Sequence, residues 1–116
     1  QRTVIDAFLA ASRDGDFDAL LALLDPDVVV RSDGAAVAMG APAEIRGAMA
    51  VGEMFKGRAR AALPALLDGV AGAVWAHGGQ PRVVLRFTIA RAKIVAIELT
   101  ADPDRLSQLD VVVLRN

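Results

Sequence analysis

Hydrophobic residues recur at helical spacing over the first part of the chain and predict two short helices. The first apolar face includes one polar residue, Ser12, and consists otherwise of Val4, Ile5, Phe8, Leu9 and Ala11. Gly15 is suited to end this helix, and Asp16 is suited to cap the next. The second face consists of Phe17, Leu20, Leu21 and Leu24, and Asp25-Pro26 ends it. So short a turn predicts a helical hairpin that packs on a partner surface.

The middle of the chain begins with a predicted strand. "DVVVRSDG" combines a β-branched run with Asp33-Gly34, which is typical of a strand that ends in a turn. Residues 35–47 are ambiguous, because "AEIRG" fits either a short strand or the start of a helix.

Residues 48–62 predict a third helix. Its shared face consists of Val51, Met54, Phe55, Arg58, Ala59 and Ala62. Gly52 and Gly57 weaken this helix by up to ~1 kcal/mol each if they lie inside it. Pro64 limits how far the helix extends.

The remainder of the chain reads mostly as sheet. "GAVWAH", "RVVLRFTIA" and "KIVAIELT" predict three strands, and "GGQP" predicts a turn. In the second of these strands Leu85 and Phe87 share one face, while Val84 and Arg86 share the other. Both faces of these strands are mostly apolar, which predicts a sheet covered on both sides. The hairpin-length connections predict antiparallel pairing. The terminal "DVVVLRN" is β-prone, but its pairing cannot be predicted.

"TADPDRLSQL" predicts a short helix after the last well-defined strand. Asp102 can cap it, Pro103 suits its first position, and Asp104 adds negative charge to its first turn. The order of elements predicts an α+β domain spanning residues 1–116, in which helices close one end of a cone-shaped, curved antiparallel sheet. The mouth of such a cone is a natural pocket.

Composition narrows the function classes. The hydrophobic fraction is 54%, the formal net charge is −1, and the arginines form no run, so a basic face for direct nucleic-acid contact is not expected. There is no cysteine, which excludes disulfides and zinc ribbons and is compatible with the cytoplasm. No apolar run is long enough to span a bilayer, so no membrane contact is expected. The first residue is Gln1 rather than Met, which indicates either a trimmed chain or a piece of a longer polypeptide.

Three residues are candidates if the domain is an enzyme: His77, Asp33 and Glu98. His77 is the sole histidine and a candidate acid or base at the cone mouth, but a polar residue at a strand end beside a Gly-Gly turn is the favoured interpretation. Burial in an apolar strand would raise the pKa of Glu98, whereas a pair with Arg86 or simple exposure would leave it structural. Asp33 is expected to shape its turn. The chain has no tyrosine to stabilise an enolate, so a catalytic role is not favoured.

Four residues are candidates for lining a pocket: Trp75, Phe55, Met54 and Arg86. An aromatic face suits a flat ligand and methionine adapts to irregular cavities, although both are also ordinary core residues. No metal-ligand spacing, Gly-rich phosphate loop or Ser-His-Asp arrangement is present, so no metal or cofactor is expected.

Three stretches together resemble the SnoaL-like domain, which has the cone of the ketosteroid-isomerase and nuclear-transport-factor type. They are "VIDAFLAASRDGDFDALLALLDPDVVVRSDGA", "EIRGAMAVGEMFKGRARAA" and "KIVAIELTADPDRL". They are most similar to the C-terminal SnoaL-like extension of one group of extracytoplasmic-function sigma factors. That family carries an Asp-Gly-Gly-Gly loop, for which this chain has Asp33-Gly34-Ala35-Ala36. It also carries Asn-Pro-Asp-Lys-Leu, for which this chain has Asp102-Pro103-Asp104-Arg105-Leu106.

The resemblance implies a regulatory, non-catalytic domain that docks on the sigma core and acts through it on RNA polymerase. The docking residues it implies are Asp33, Gly34, Asp102, Pro103, Asp104, Arg105 and Leu106. Cones of this type often pair through their sheets, and the sequence leaves open whether this chain forms a homodimer in isolation. A polyketide-cyclase-like or ketosteroid-isomerase-like enzyme and a module that binds an apolar ligand are the alternatives.

Overall fold

The computed structural model describes residues 2–57 and 62–114, which form five helices and seven strands. The helices are α1 (Arg2–Asp14), α2 (Phe17–Leu23), α3 (Gly34–Ala38), α4 (Ala48–Phe55) and α5 (Pro103–Ser107). The strands are β1 (Leu24–Ser32), β2 (Glu44–Arg46), β3 (Ala62–Leu67), β4 (Val70–His77), β5 (Gln80–Ala90), β6 (Lys93–Thr100) and β7 (Val111–Val113).

The predicted helical hairpin is present. Gly15 adopts a φ of +66°, which allows the chain to turn after α1, and the carboxylate of Asp16 caps α2 by accepting the N–H of Ala19 at 3.1 Å. The apolar faces of both helices are buried, with Phe8 and Leu20 fully inaccessible to solvent. The α2 helix ends one residue earlier than predicted, because Leu24 already belongs to β1.

The third predicted helix is shorter than its pattern indicates. It ends at Phe55, and Gly57 follows with a φ of +74°, a conformation that favours glycine. Gly52 lies inside the helix, where its missing side chain leaves room for the ring of Phe17. Predicted helical residues Arg58 and Ala59 lie outside the described residues. Ala62 belongs to β3 rather than to the helix.

The seven strands form one sheet in the order β2-β1-β6-β5-β4-β3-β7. The chain from β3 to β6 is a meander of antiparallel hairpins, in which the pairing of β4, β5 and β6 is as predicted, whereas β3 was not predicted as a strand. However, β1 pairs with β6 in parallel, with Val30 opposite Ile97, so the sheet is mixed rather than wholly antiparallel. The hairpin argument concerns strands that follow one another, and these two are separated by most of the chain. Five helices and one seven-stranded sheet make the described residues an α+β arrangement, as predicted.

Three short elements differ from the prediction or resolve what it left open. Asp33-Gly34 does not form a turn after the strand but starts α3. Strand β3 contains Pro64, which has no backbone N–H to donate. The proline is tolerated because β7 pairs with β3 only from Ala65 onward, and because the carbonyl of Pro64 still accepts the N–H of Leu114. The terminal β-prone run does pair, as β7.

Apolar side chains cover both faces of the sheet, as the alternation predicts. The larger core lies under α1, α2 and α4, where Phe8 packs edge-on against Phe55 and Phe87 with ring centroids 5.1 and 5.5 Å apart. A smaller core on the opposite, outer face consists of Ala65, Leu67, Val74 and Val84. Leu106 and Leu109 pack against this second core, so residues 102–109, here called the α5 segment, cover part of the outer face.

Candidate functional site

Asp33 joins the two segments that carry the docking motifs. Its Oδ1 accepts the N–H of Ala36 at 2.8 Å, which caps α3. Its Oδ2 accepts the N–H of Ala101 at 3.0 Å and that of Asp102 at 3.1 Å, at the end of β6. The backbone N–H of Asp33 also donates to the carbonyl of Leu99 at 3.0 Å. One carboxylate therefore fixes the start of α3 to the start of the α5 segment.

The environment of Asp33 favours its charged form. Partial burial raises the pKa of its carboxyl, but hydrogen bonds from the amides of Ala36, Asp102 and Ala101 lower it, as does the charge of Arg105. The net effect holds the pKa below its ordinary value of 3.8. Asp33 is therefore a structural anion whose oxygens already have partners, which is unfavourable for a base that must take up a proton.

The α5 segment forms as its sequence predicts and lies at the surface. Asp102 caps the helix by accepting the N–H of Asp104 at 3.1 Å, and Pro103 occupies the first turn. Pro103, Asp104 and Arg105 are exposed, whereas Leu106 is half-buried on the outer core. The segment thus presents its charged side to solvent.

The Asp33-Gly34 segment differs from the predicted loop, and the difference explains why Ala35 and Ala36 can stand where the family motif has glycines. Gly34 does not adopt a positive φ, and Ala35 and Ala36 lie within α3. The glycines of the family motif are therefore not required here by backbone conformation. Sequence reasoning missed the capping role of Asp33, although an Asp followed by several helix-forming alanines is a helix-start signal.

A cavity of about 620 Å³ opens among α4, the 39–45 segment and the inner face of the sheet. Trp75, Phe55 and Met54 line it, as expected for pocket residues. The remaining described lining residues are Met39, Gly40, Ala41, Pro42, Ile45, Ala50, Glu53, Ala62, Val83, Leu85 and Leu99. Glu53 is the sole ionisable side chain in this described lining, and sequence reasoning did not single it out. The cavity suits an apolar ligand.

The three candidate catalytic residues do not converge on that cavity. His77 is exposed at the end of β4, and Asp33 lies at the junction described above. Glu98 is exposed on the outer face rather than buried in an apolar strand, so the argument from its burial is wrong. None of the three belongs to the described lining.

Arg86 also lies away from the cavity. It points to the outer face of β5, because its neighbour Leu85 occupies the inner face, so its assignment to the pocket with Trp75 is wrong. Arg86 is instead opposite Glu98 in the sheet register, and Glu98 is opposite Arg31 on β1. These three residues and Arg105 line a depression of about 450 Å³ on the outer face.

Neither a metal cluster nor a membrane span is found in the part of the chain that the structure describes. Over residues 2–57 and 62–114, no three His, Cys, Asp or Glu side chains come close enough to hold a metal ion. No helix within these ranges is both long and apolar enough to cross a membrane.

Solved structures share this architecture, although no protein-family model and no curated protein sequence matches the chain. Similarity to the extracytoplasmic-function sigma factor SigJ of Mycobacterium tuberculosis has a TM-score of 0.69 and 26% identity, and covers 90% of this chain. This chain spans only 43% of the SigJ chain.

Two further neighbours support the fold alone. An NTF-2 like protein of unknown function from Burkholderia xenovorans has a TM-score of 0.57 and 20% identity, covering 84% of this chain and 79% of its own. A putative polyketide cyclase from Sinorhizobium meliloti has a TM-score of 0.55 and 23% identity, and the match covers 84% of this chain and 93% of the cyclase chain. The structural neighbours are thus SnoaL/NTF2-like proteins, an extracytoplasmic-function sigma factor among them, and this chain shares their α+β, cone-like fold.

Proposed function

We propose that the chain is a regulatory, non-catalytic domain of an extracytoplasmic-function sigma factor. It modulates sigma activity in the cytoplasm by docking on the sigma core, and through it on RNA polymerase, without contacting nucleic acid or membrane itself. The similarity to SigJ carries this proposal, since it combines the highest TM-score and identity of the three neighbours described above. The chain spans only 43% of the SigJ chain. Participation in the activity of a whole sigma factor is therefore part of this proposal.

The docking surface in this proposal is the pair of segments joined by Asp33. Gly34 on one segment and Pro103, Asp104 and Arg105 on the other are exposed and lie on either side of the shared carboxylate. Rigid attachment favours docking, because a surface that is already ordered loses less conformational entropy on binding. In this arrangement Asp33 positions the surface, while the exposed side chains contact the partner.

The test is binding of the chain to a sigma core polypeptide supplied separately, measured by calorimetry. We expect the wild-type chain to bind and the double variant Asp102→Ala, Arg105→Ala to bind at least about tenfold more weakly. The control is Asp16→Ala, which also removes a helix cap but lies on α2, and which should bind like the wild type. Circular dichroism verifies that each variant is folded, and light scattering identifies any homodimer formed through the sheet.

Two outcomes would contradict the proposal. Absence of binding by the folded wild-type chain would remove the docking role altogether. Binding that is the same for the double variant and for Asp16→Ala would leave a sigma-associated domain but remove the role of the α5 segment.

The apolar cavity supports a second candidate, which is binding of an apolar ligand without turnover. A thermal-shift screen with hydrophobic compounds tests it, because a ligand that binds the folded state raises Tm. Ala50→Phe, which narrows the cavity, should abolish a positive shift, whereas Met49→Phe at an adjacent exposed position outside the described lining should not. A measured turnover that disappears in His77→Ala would instead favour an enzyme.

A further inference from the structure

The depression on the outer face of the sheet is lined by charged side chains from three strands and one helix. Arg31, Glu98 and Arg86 lie side by side across β1, β6 and β5, and Arg105 reaches the same depression from α5. Asp33 completes the set of ionisable residues that line it. Three guanidinium groups and two carboxylates thus line the depression, and one of the three, that of Arg31, is paired with Glu44.

The guanidinium groups of this depression are not all engaged. Arg31 donates to Glu44 at 3.3 Å, but Arg86 and Arg105 form no ion pair or side-chain hydrogen bond with any residue in 2–57 or 62–114. Asp33 cannot readily serve them as an acceptor, because three backbone amides already donate to its oxygens. Two adjacent arginines therefore have donors available for an incoming anion.

A second depression, of about 230 Å³, shares Arg86, Thr100 and Arg105 with the first and continues beneath α5. Its lining adds Asp68 and Gln108, and also Val84, Leu106 and Leu109, which belong to the outer core or pack against it. Together the two depressions form a groove in which Arg86 and Arg105, shared by both, are flanked by Glu98 and Asp33 in one depression and by Asp68 and apolar side chains in the other. Such a groove is complementary to a peptide in which an acidic side chain neighbours an apolar one.

We propose that the groove between α5 and the outer sheet face receives an acidic segment of the docking partner, with one carboxylate held by Arg86 and Arg105. Identification of this partner as the sigma core rests on the function proposed above. Charge favours a carboxylate over a phosphate: Arg86 and Arg105 offset a single negative charge, whereas a dianion would be repelled more strongly by Glu98, Asp33 and Asp68. The planar guanidinium matches the two oxygens of a carboxylate.

Charge reversal at Arg86 tests this inference without touching the motif residues. Arg86 is exposed, so Arg86→Glu should fold normally, and it should bind the sigma core polypeptide at least about tenfold more weakly than the wild type. The matched control is Arg82→Glu, an equal charge change at an exposed position on the same strand but outside the described lining, which should change affinity less than about twofold. Equal weakening by both variants would indicate long-range charge rather than a site.

A second measurement makes the site testable without the partner. In an NMR titration, an N-acetylated, C-amidated peptide with the sequence Glu-Leu-Glu-Leu should shift the side-chain Nε–H signals of Arg86 and Arg105, and the shifts should disappear in Arg86→Glu. A Gln-Leu-Gln-Leu peptide should leave both signals in place. Shifts caused by inorganic phosphate but not by the acidic peptide would overturn the preference for a carboxylate.

The two proposals fail in different ways. If the sigma core does not bind but the acidic peptide shifts Arg86 and Arg105, the groove stands and the sigma-docking function falls. If the sigma core binds with equal affinity to Arg86→Glu and the acidic peptide shifts neither signal, the groove is wrong and the docking function stands.

Discussion

The carboxylate of Asp33 accepts a hydrogen bond of 3.1 Å from the backbone N–H of Asp102, which lies 69 positions later in the sequence. Asp102 in turn caps α5, and Asp33 caps α3. The starts of α3 and α5 are therefore linked, because the residue that caps α3 accepts a hydrogen bond from the residue that caps α5. This bond joins the ends of the parallel strands β1 and β6. A change at either aspartate should affect both segments.

Removal of the Asp33 carboxylate should destabilise the fold more than removal of an isolated cap. We expect Asp33→Ala to lower the free energy of unfolding by about 2–3 kcal/mol, because it leaves three amides without their acceptor. Asp16→Ala removes one cap hydrogen bond and should cost about 1 kcal/mol. Urea denaturation measures both. Equal losses would mean that the Asp33 bonds to Ala101 and Asp102 contribute little.

The contribution of Asp33 should depend on pH. Its folded-state pKa lies below its ordinary value of 3.8, so the unfolded chain takes up the proton at a higher pH than the folded chain does. The stabilisation is therefore complete above that ordinary value and is lost as the pH falls through the lowered pKa. We expect the stability difference between wild type and Asp33→Asn to shrink below about pH 4.

Comparison with Asp33→Asn isolates this group from other acids. The pKa of Glu44 is also lowered, by hydrogen bonds from Arg46 and then from Arg31, but Glu44 is present in both proteins and its effect cancels. Urea denaturation at several pH values measures the difference. A difference that stays constant down to about pH 2.5 would exclude preferential ionisation of Asp33 in the folded state.

Gly72 should be intolerant of a side chain, whereas Gly34 should accept one. A Cβ at Gly72 would lie 2.7 Å from both the Leu67 Cδ1 and the carbonyl oxygen of Leu85, so the outer core must shift. We expect Gly72→Ala to lower the free energy of unfolding by about 1–3 kcal/mol. A Cβ at Gly34 meets nothing within 4 Å, so Gly34→Ala should be neutral or stabilise by up to about 1 kcal/mol. Thermal unfolding distinguishes them, and similar Tm values would contradict this reading.

Ser12, the polar residue on the apolar face of α1, should be needed for packing of α1 against the end of α4. It is fully buried, its hydroxyl donates to the carbonyl of Phe55, and its carbonyl accepts the N–H of Gly57 at 2.7 Å. Ser12→Ala leaves the Phe55 carbonyl without that donor and should cost about 1–3 kcal/mol in urea denaturation.

The control for Ser12 is a hydroxyl at the surface. Ser107 donates to the carbonyl of Asp104 at 2.8 Å in an exposed part of α5, where water can replace it. Ser107→Ala should therefore change the free energy of unfolding by less than about 0.5 kcal/mol. A loss as large as that of Ser12→Ala would show that burial is not the deciding factor.

The sequence determined those elements whose signals are local. Helical spacing defined α1 and α2, alternation defined β4 to β6, and the Asp102-Pro103 pair defined the start of α5. Each depends on residues within a few positions, so periodicity and caps are sufficient to predict it. The same patterns led to the α+β, cone-like fold and, through the resemblance, to the two motif segments.

Tertiary structure decided the features that depend on distant partners. The five-residue α3 is too short for a periodic pattern, and β3 carries a proline that is tolerated only because of where β7 pairs. The parallel β1–β6 pair brings Asp33 to the end of β6 and places Arg31 beside Glu98. Local sequence cannot determine such contacts, because they arise from burying the apolar faces of helices and sheet together rather than from any one segment.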